Sequence, residues 1–313
     1  MGIRRIAVFH NTAQVGSAWC CAEGIITTLA KKGYEIFNCG HPQHTYVPIE
    51  TLQTMDLIVM GAPEWYDHIL NARYGRSWVE LDVTKVAWYA ESAYRDDRSF
   101  DFARCQLLAN LHYFPAIQDA EEFGGRWLPF GADTSLFHPI AGEKSYEAAF
   151  LGSLYQKRLD YIREIGFPIS IIPPVHSDNP VQSFHLLAKA YNSTNIFVNM
   201  PAYSRLLVTK VTEVMACRTM LVTPAIDHPS GLKNMEQFED GKHLVYYDQN
   251  RPHELLEILE YFRTHPIERD AIAVAGWEEI TKRHTLEHRV DKMLADASTF
   301  TNRERQTEAM GLV

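Results

Sequence analysis

Residues 195–224 read NIFVNMPAYSRLLVTKVTEVMACRTMLVTP. NIFVNM is a short apolar run rich in strand formers, VTKVTEVMACR has helical spacing, and TMLVTP is apolar again, so the stretch reads strand, helix, strand. Strands that alternate with helices pair in parallel, because the helix carries the chain back to the same end of the sheet. Working outward from this unit, AAFLGS (148–153) and ISIIPP (169–174) read as strands. The helical YQKRLDYIREIG (155–166) lies between them with Gly166 as its stop, and the helical SFHLLAKAYN (183–192) follows. On the other side come strand-like HLVYYD (243–248), the helical HELLEILEYFRTH (253–265), and a helical run led by Pro266.

The same alternation is present earlier in the chain. RRIAVFH (4–10), YEIFNCG (34–40), MDLIVMGAP (55–63) and KVAWYAES (85–92) read as strands, with a helix in WCCAEGIITTLAKKGYE (19–35). The further apolar stretches CQLLAN (105–110) and RWLPFGAD (126–133) complete a first lobe, and PIAGEKS (139–145) reads as the linker. A length of 313 residues suits two α/β lobes, and two lobes make a cleft the default site. No apolar run is long enough to cross a bilayer, and the N-terminal apolar stretch runs into His10 and Asn11, unlike a secretory segment. A cytoplasmic protein is expected. The five cysteines (Cys20, Cys21, Cys39, Cys105, Cys217) are scattered without a C-x-x-C pair, which indicates neither disulfide framework nor zinc site. A net charge of −9 argues against coating nucleic acid, although Arg73, Arg76, Lys85, Arg95, Arg98 and Arg104 form a local basic excess.

Ligands of open α/β sheets bind beyond the carboxyl ends of the strands, so the loops there carry the candidates. After the first strand, HNTAQVGS offers Gly16 ahead of a helix but lacks G-x-G-x-x-G, which disfavours a nicotinamide dehydrogenase. In LGSLYQKR, Gly152 and Ser153 close a strand and Lys157 and Arg158 open a helix, a combination suited to a diphosphate. On the helix 208–217, Lys210 and Glu213 are three residues apart and share a face. They read either as a salt bridge or as a phosphate cation beside a carboxylate able to accept two ribose hydroxyls. In the first lobe Glu64, Asp67, His68, Glu91 and Asp96 are carboxylates and a histidine near strand ends, and His10 ends the first strand. Each has a structural reading and a general-base reading. The dispersed histidines and carboxylates give no metal-binding spacing.

Taken in order, LPFGAD (128–133), FHP (137–139), AAFLGSLYQKR (148–158), NIFVN (195–199), VTKVTEVMACRTMLVT (208–223), FEDGKHLVYYD (238–248) and GWEEITKRHTLEHRVDKML (276–294) form a series that resembles group 1 glycosyltransferases of the spore-maturation-protein type. The resemblance implies a GT-B fold, with two Rossmann-like doubly wound lobes facing across a cleft: an acceptor lobe over 1–140, a nucleotide-sugar donor lobe over 141–280, a last helix over 281–300 crossing back to the first lobe, and a tail over 301–313. It further implies a metal-independent hexosyltransferase that needs no cofactor beyond its nucleotide-sugar co-substrate, a UDP-sugar favoured over a GDP-sugar. The donor would be held by Gly152, Ser153, Lys157, Arg158, Lys210, Val211, Thr212 and Glu213, with Gly16 and Glu64 in an acceptor or diphosphate loop.

Two positions depart from the family pattern: Arg205 stands where retaining relatives carry a second glutamate, and Arg218 replaces the glycine of the usual alanine-cysteine-glycine ending. Retention then needs no protein base, while inversion would require one from the first lobe, with Glu91 and His10 as candidates. The hydroxyl acceptor stays open among a saccharide, a small molecule, a protein and a modified DNA base. A DNA-modifying glycosyltransferase acting on a hydroxymethylated base and a non-catalytic sugar-nucleotide-binding protein of the same fold are the alternatives.

Overall fold

A computed structural model of the chain describes residues 3–10, 20–42, 45–90, 102–172, 180–200, 206–226 and 232–300. The chain divides into two compact units. The first holds β1 (Arg5–Phe9), α1 (Cys20–Lys31), β2 (Glu35–Gly40), α2 (Ile49–Leu52), β3 (Leu57–Gly61), α3 (Asp67–Tyr74), α4 (Arg76–Glu80), β4 (Thr84–Trp88), α5 (Phe102–Cys105), β5 (Leu111–Phe114), α6 (Ile117–Glu122) and β6 (Arg126–Trp127). The second, Phe130–Leu286, holds β7 (Tyr146–Leu151), α7 (Gln156–Ile165), β8 (Ser170–Ile172), α8 (Pro180–Asn192), β9 (Thr194–Val198), α9 (Thr209–Ala216), β10 (Met220–Pro224), α10 (Leu232–Met235), β11 (Val245–Tyr247), α11 (Pro252–Thr264) and α12 (Pro266–Arg283). A final helix, α13 (Leu286–Thr299), belongs from Glu287 onward to the first unit. It is fastened there by Lys32 to Glu287 and Asp291, and by Tyr113 and Arg126 to Asp296, all at 2.8 Å.

Each unit is built on one all-parallel sheet. The first has the order β2-β1-β3-β4-β5-β6 and the second β11-β10-β9-β7-β8. The two orders follow the same rule: the chain starts in the middle, steps to one side, then returns past its starting strand and continues outward. The reversal lies between β1 and β3 in one sheet and between β7 and β9 in the other, and such switch points are where loops part and leave a crevice. β3, β4 and β10 are buried along their whole length, as expected of parallel strands covered on both faces. Each fully buried Ile, Leu or Phe in these cores contributes on the order of 2 kcal/mol. Cys39, Cys105 and Cys217 are buried free thiols.

Two stretches take shapes that the apolar pattern left open. CQLLAN forms no strand: α5 and a single 3-10 turn occupy 102–108, held by the indole of Trp78 donating to Leu108 O, and a strand begins three residues past Leu108 with LHYF. The helical run after Pro266 is two helices, because Thr285 leaves the helix to bridge with Ala132. Ala132 N donates to His284 O and Leu286 N to Ala132 O, at 3.0 and 2.7 Å. The neighbouring Gly131 is so close that a Cβ there would stand 2.7 Å from Thr285 O. Gly131 and Ala132 of LPFGAD and His284, Thr285 and Leu286 therefore form one structural joint within the second unit.

Arg218, at the position where the resemblance implies glycine, follows α9 with φ of 54°. A left-handed conformation costs a residue with a Cβ about 1 kcal/mol or more, which glycine avoids. Arg218→Gly is expected to stabilise the protein by roughly 1 kcal/mol, read as a raised denaturation midpoint. A lowered midpoint would show that the Arg218 side chain contributes more than its backbone strain costs.

Candidate functional site

At the switch point of the second sheet, β7 ends in Leu151 and is followed by Gly152, while the chain leaving β9 forms α9. The Lys210 ammonium, in the first turn of α9, donates to Leu151 O at 2.8 Å and so ties the two diverging segments together. Arg158, in the first turn of α7, donates from Nη1 to Ser153 O at 2.6 Å. Gly152 lies between them. A Cβ built there would stand 2.9 Å from Phe150 Cζ, 3.3 Å from Lys210 Nζ and 3.5 Å from Arg158 Nη1. The missing side chain thus leaves a notch with two cations and an aromatic edge on its walls. Arg158 is stacked over Phe150 and Tyr155, with its guanidinium carbon 5.0 and 4.7 Å from the ring centroids, and Lys210 Nζ is 5.7 Å from the Phe150 centroid.

The second unit's other sequence candidates occupy different places. Lys157 is exposed, and the cation that reaches Gly152 is Arg158. Ser153 is exposed, and its carbonyl serves Arg158. Val211 is a core residue, and the Thr212 hydroxyl donates to Thr209 O at 3.0 Å. Glu213 is 5% exposed and accepts from Tyr191 OH at 3.2 Å. Lys210 and Glu213 share a helix face, yet one turns to β7 and the other to α8. Further along the strand ends, Asn199 donates to Thr223 Oγ1 and accepts from Tyr247 OH, which fixes the ends of β9, β10 and β11 relative to one another. A cavity of about 560 Å³ lies beyond β10 and β11, lined by Phe238, Tyr246, Asp248 and Arg251 among others. Its Arg251 is paired with Asp248 and Glu254, and neither Lys210 nor Arg158 lines it.

In the first unit, His10 is 2% exposed and its Nε2 lies 2.9 Å from Asn38 Oδ1. That oxygen also accepts from Gly40 N, so it is the acceptor and His10 Nε2 carries the proton. Glu64 Oε1 accepts from Ala90 N at 2.8 Å, bracing the end of β4. Tyr66 OH donates to Gly61 O and Phe9 O. Ala62, with φ and ψ of 54°, is a strained left-handed residue at the end of β3, the kind of outlier that gathers at functional loops. Asp67 is buried and paired with Arg104 at 2.8 Å, a structural ion pair, with His68 3.6 Å away. Gly16, Glu91, Asp96 and Arg205 lie outside the described residues.

The local basic excess does not assemble into a face among the described residues: Lys85 is buried and donates to Leu81 O, Arg73 to Thr45 O, Arg76 pairs with Glu80 and Arg104 with Asp67. Arg95 and Arg98 lie outside those residues. Among the described residues no group of three His, Cys, Asp or Glu is placed to hold a metal ion, and no helix is long and apolar enough to cross a membrane.

Burial, and next the charge of Arg158, push the Lys210 ammonium down from 10.5 to about 8, with Glu213 opposing. The folded protein therefore releases this proton near pH 8 while the unfolded chain keeps it to about 10.5, so the cost of burying the charge is fully present below pH 8 and relieved as pH rises to 10.5. A titration of the lysine side-chain nitrogens by NMR is expected to show one midpoint near pH 8 that vanishes in Lys210→Met. If every lysine titrates above pH 10, the ammonium is not enclosed as described.

No curated protein sequence matches the chain. Among solved structures it is similar to sucrose-phosphate synthase from Thermosynechococcus elongatus, with 14% identity, a TM-score of 0.63, and coverage of 98% of this chain and 100% of that one. It is similar to Anabaena Alr3699/HepE in complex with UDP, with 12% identity, a TM-score of 0.62 and coverage of 95% and 100%. An alpha-glucosyltransferase in complex with UDP-glucose and DNA containing an abasic site is a further match, with 10% identity, a TM-score of 0.64 and coverage of 94% and 99%. The two parallel α/β units shared with these proteins make the fold GT-B. Residues 136–295, about half of the sequence and nearly the whole second unit, match the family described as glycosyl transferase-like, and the chain belongs to that family.

Proposed function

We propose that the protein transfers a sugar, a hexose by preference, from a nucleoside-diphosphate sugar to a hydroxyl acceptor. The observation that carries this reading is the convergence of Lys210 and Arg158 on Gly152 at the switch point of the second sheet. Two cations facing a position without a side chain suit a diphosphate, whose oxygens need charge and close backbone approach. Structures of similar fold that carry UDP or UDP-glucose favour a UDP-sugar. Glu213, buried in the second turn of α9, would take the ribose hydroxyls, with Tyr191 OH holding its other side.

In the reaction the bond between the sugar's C1 and the β-phosphate oxygen breaks and a bond from C1 to the acceptor oxygen forms. Lys210 and Arg158 stabilise the negative charge that develops on the departing diphosphate, a task their side chains meet without a metal ion. If configuration is retained, the acceptor proton passes to the leaving diphosphate. If it is inverted, a protein base receives it, with Glu91 and His10 as the candidates. For the acceptor, one structural neighbour is bound to DNA, but the engagement of Lys85, Arg73, Arg76 and Arg104 with local partners gives a DNA acceptor no support here.

UDP is expected to raise the wild-type melting temperature, and Arg158→Met or Lys210→Met to weaken UDP at least tenfold, equivalent to about 1.4 kcal/mol. Glu213→Gln is expected to weaken UDP and uridine alike. Slow release of free sugar from the preferred nucleotide sugar would separate an enzyme from a binding protein of the same fold. A wild-type protein that binds no nucleoside diphosphate overturns the proposal.

A further inference from the structure

Tyr155 occupies the N-cap of α7, a position where Ser, Thr, Asp or Asn stabilises a helix by about 1 kcal/mol through a side-chain hydrogen bond. Tyrosine makes no such bond here: the cap is completed by its carbonyl, which accepts from Arg158 N at 2.9 Å and Leu159 N at 3.2 Å. Many residues could supply that carbonyl, so helix initiation does not explain the aromatic ring. The ring instead faces Arg158, whose guanidinium carbon is 4.7 Å from its centroid, with Phe150 at 5.0 Å. Nη1 of the same guanidinium is anchored on Ser153 O and points at the Gly152 notch. A planar cation stacked on aromatic faces and pinned at one nitrogen has lost most of its rotamer freedom before any ligand arrives.

We propose that Tyr155 is a positioning residue that clamps Arg158 in the notch for the diphosphate of the donor. The inference rests on the nucleoside-diphosphate reading of the notch and deepens it. The ring acts through Arg158, so its removal lets the guanidinium swing out and the diphosphate loses an oriented partner, while a ligand without phosphates is indifferent. The hydroxyl plays no part in this role, so phenylalanine at 155 preserves it.

The test measures dissociation constants for UDP by calorimetry and for uridine by ligand-detected NMR. Tyr155→Leu is expected to weaken UDP about fivefold or more and leave uridine within twofold, and Tyr155→Phe to bind both as wild type does. Tyr155→Leu combined with Arg158→Met is expected to bind UDP no more weakly than Arg158→Met alone. Unchanged UDP affinity in Tyr155→Leu overturns the inference, as does an equal loss for UDP and uridine, which would mark the ring as merely structural. A wild-type protein that binds uridine but not UDP more tightly would instead overturn the diphosphate reading beneath it.

Discussion

The bond from the Lys210 ammonium to Leu151 O spans the point where the second sheet divides. β7 and β9 are neighbours, but the chain leaves β7 toward α7 and β8 on one side and leaves β9 toward α9 and β10 on the other. Without a link the ends of these strands would be joined by ladder bonds alone, and the first turn of α9 would be free to drift from Gly152. One ammonium on one carbonyl fixes that distance at 2.8 Å. The same contact buries the ammonium and brings its charge within reach of Arg158, and burial first, with that repulsion second, lowers its proton affinity. Two cations brought this close repel each other, a cost that a diphosphate between them would offset.

Much of this was legible in the sequence. The alternation in NIFVNMPAYSRLLVTKVTEVMACRTMLVTP gives strand, helix and strand at their observed places, because apolar runs and helical spacing report burial directly. Gly152 was legible as the close of a strand, and Arg218 as a departure whose strain appears as a positive φ. The spacing of Lys210 and Glu213 correctly put them on one face of a helix but left their partners open, since helical periodicity carries no information on which strand or helix lies to either side. β7 captured the first and Tyr191 of α8 the second. The Phe150 and Tyr155 rings around Arg158 were invisible for the same reason: stacking is set by the turn between β7 and α7. LHYF was not singled out because it follows almost directly on the equally apolar CQLLAN, and its place as a strand is set by the pairing with β4.

The first unit presents a different kind of rim. His10, Glu64 and Tyr66 are engaged with Asn38, Ala90 and the carbonyls of Phe9 and Gly61, so they stiffen the ends of β1, β3 and β4. Ala62 keeps its left-handed conformation within this braced loop. The charged groups of the second unit, Lys210, Arg158 and Glu213, are by contrast held at least half-buried around the end of β7, while the described part of the first unit supplies a rigid frame.

The most direct test is a structure of the protein with UDP bound. The account predicts phosphate oxygens within hydrogen-bonding distance of Lys210 Nζ and Arg158 Nη1, above Gly152. A diphosphate seated elsewhere, for instance in the cavity beyond β10 and β11, would contradict it.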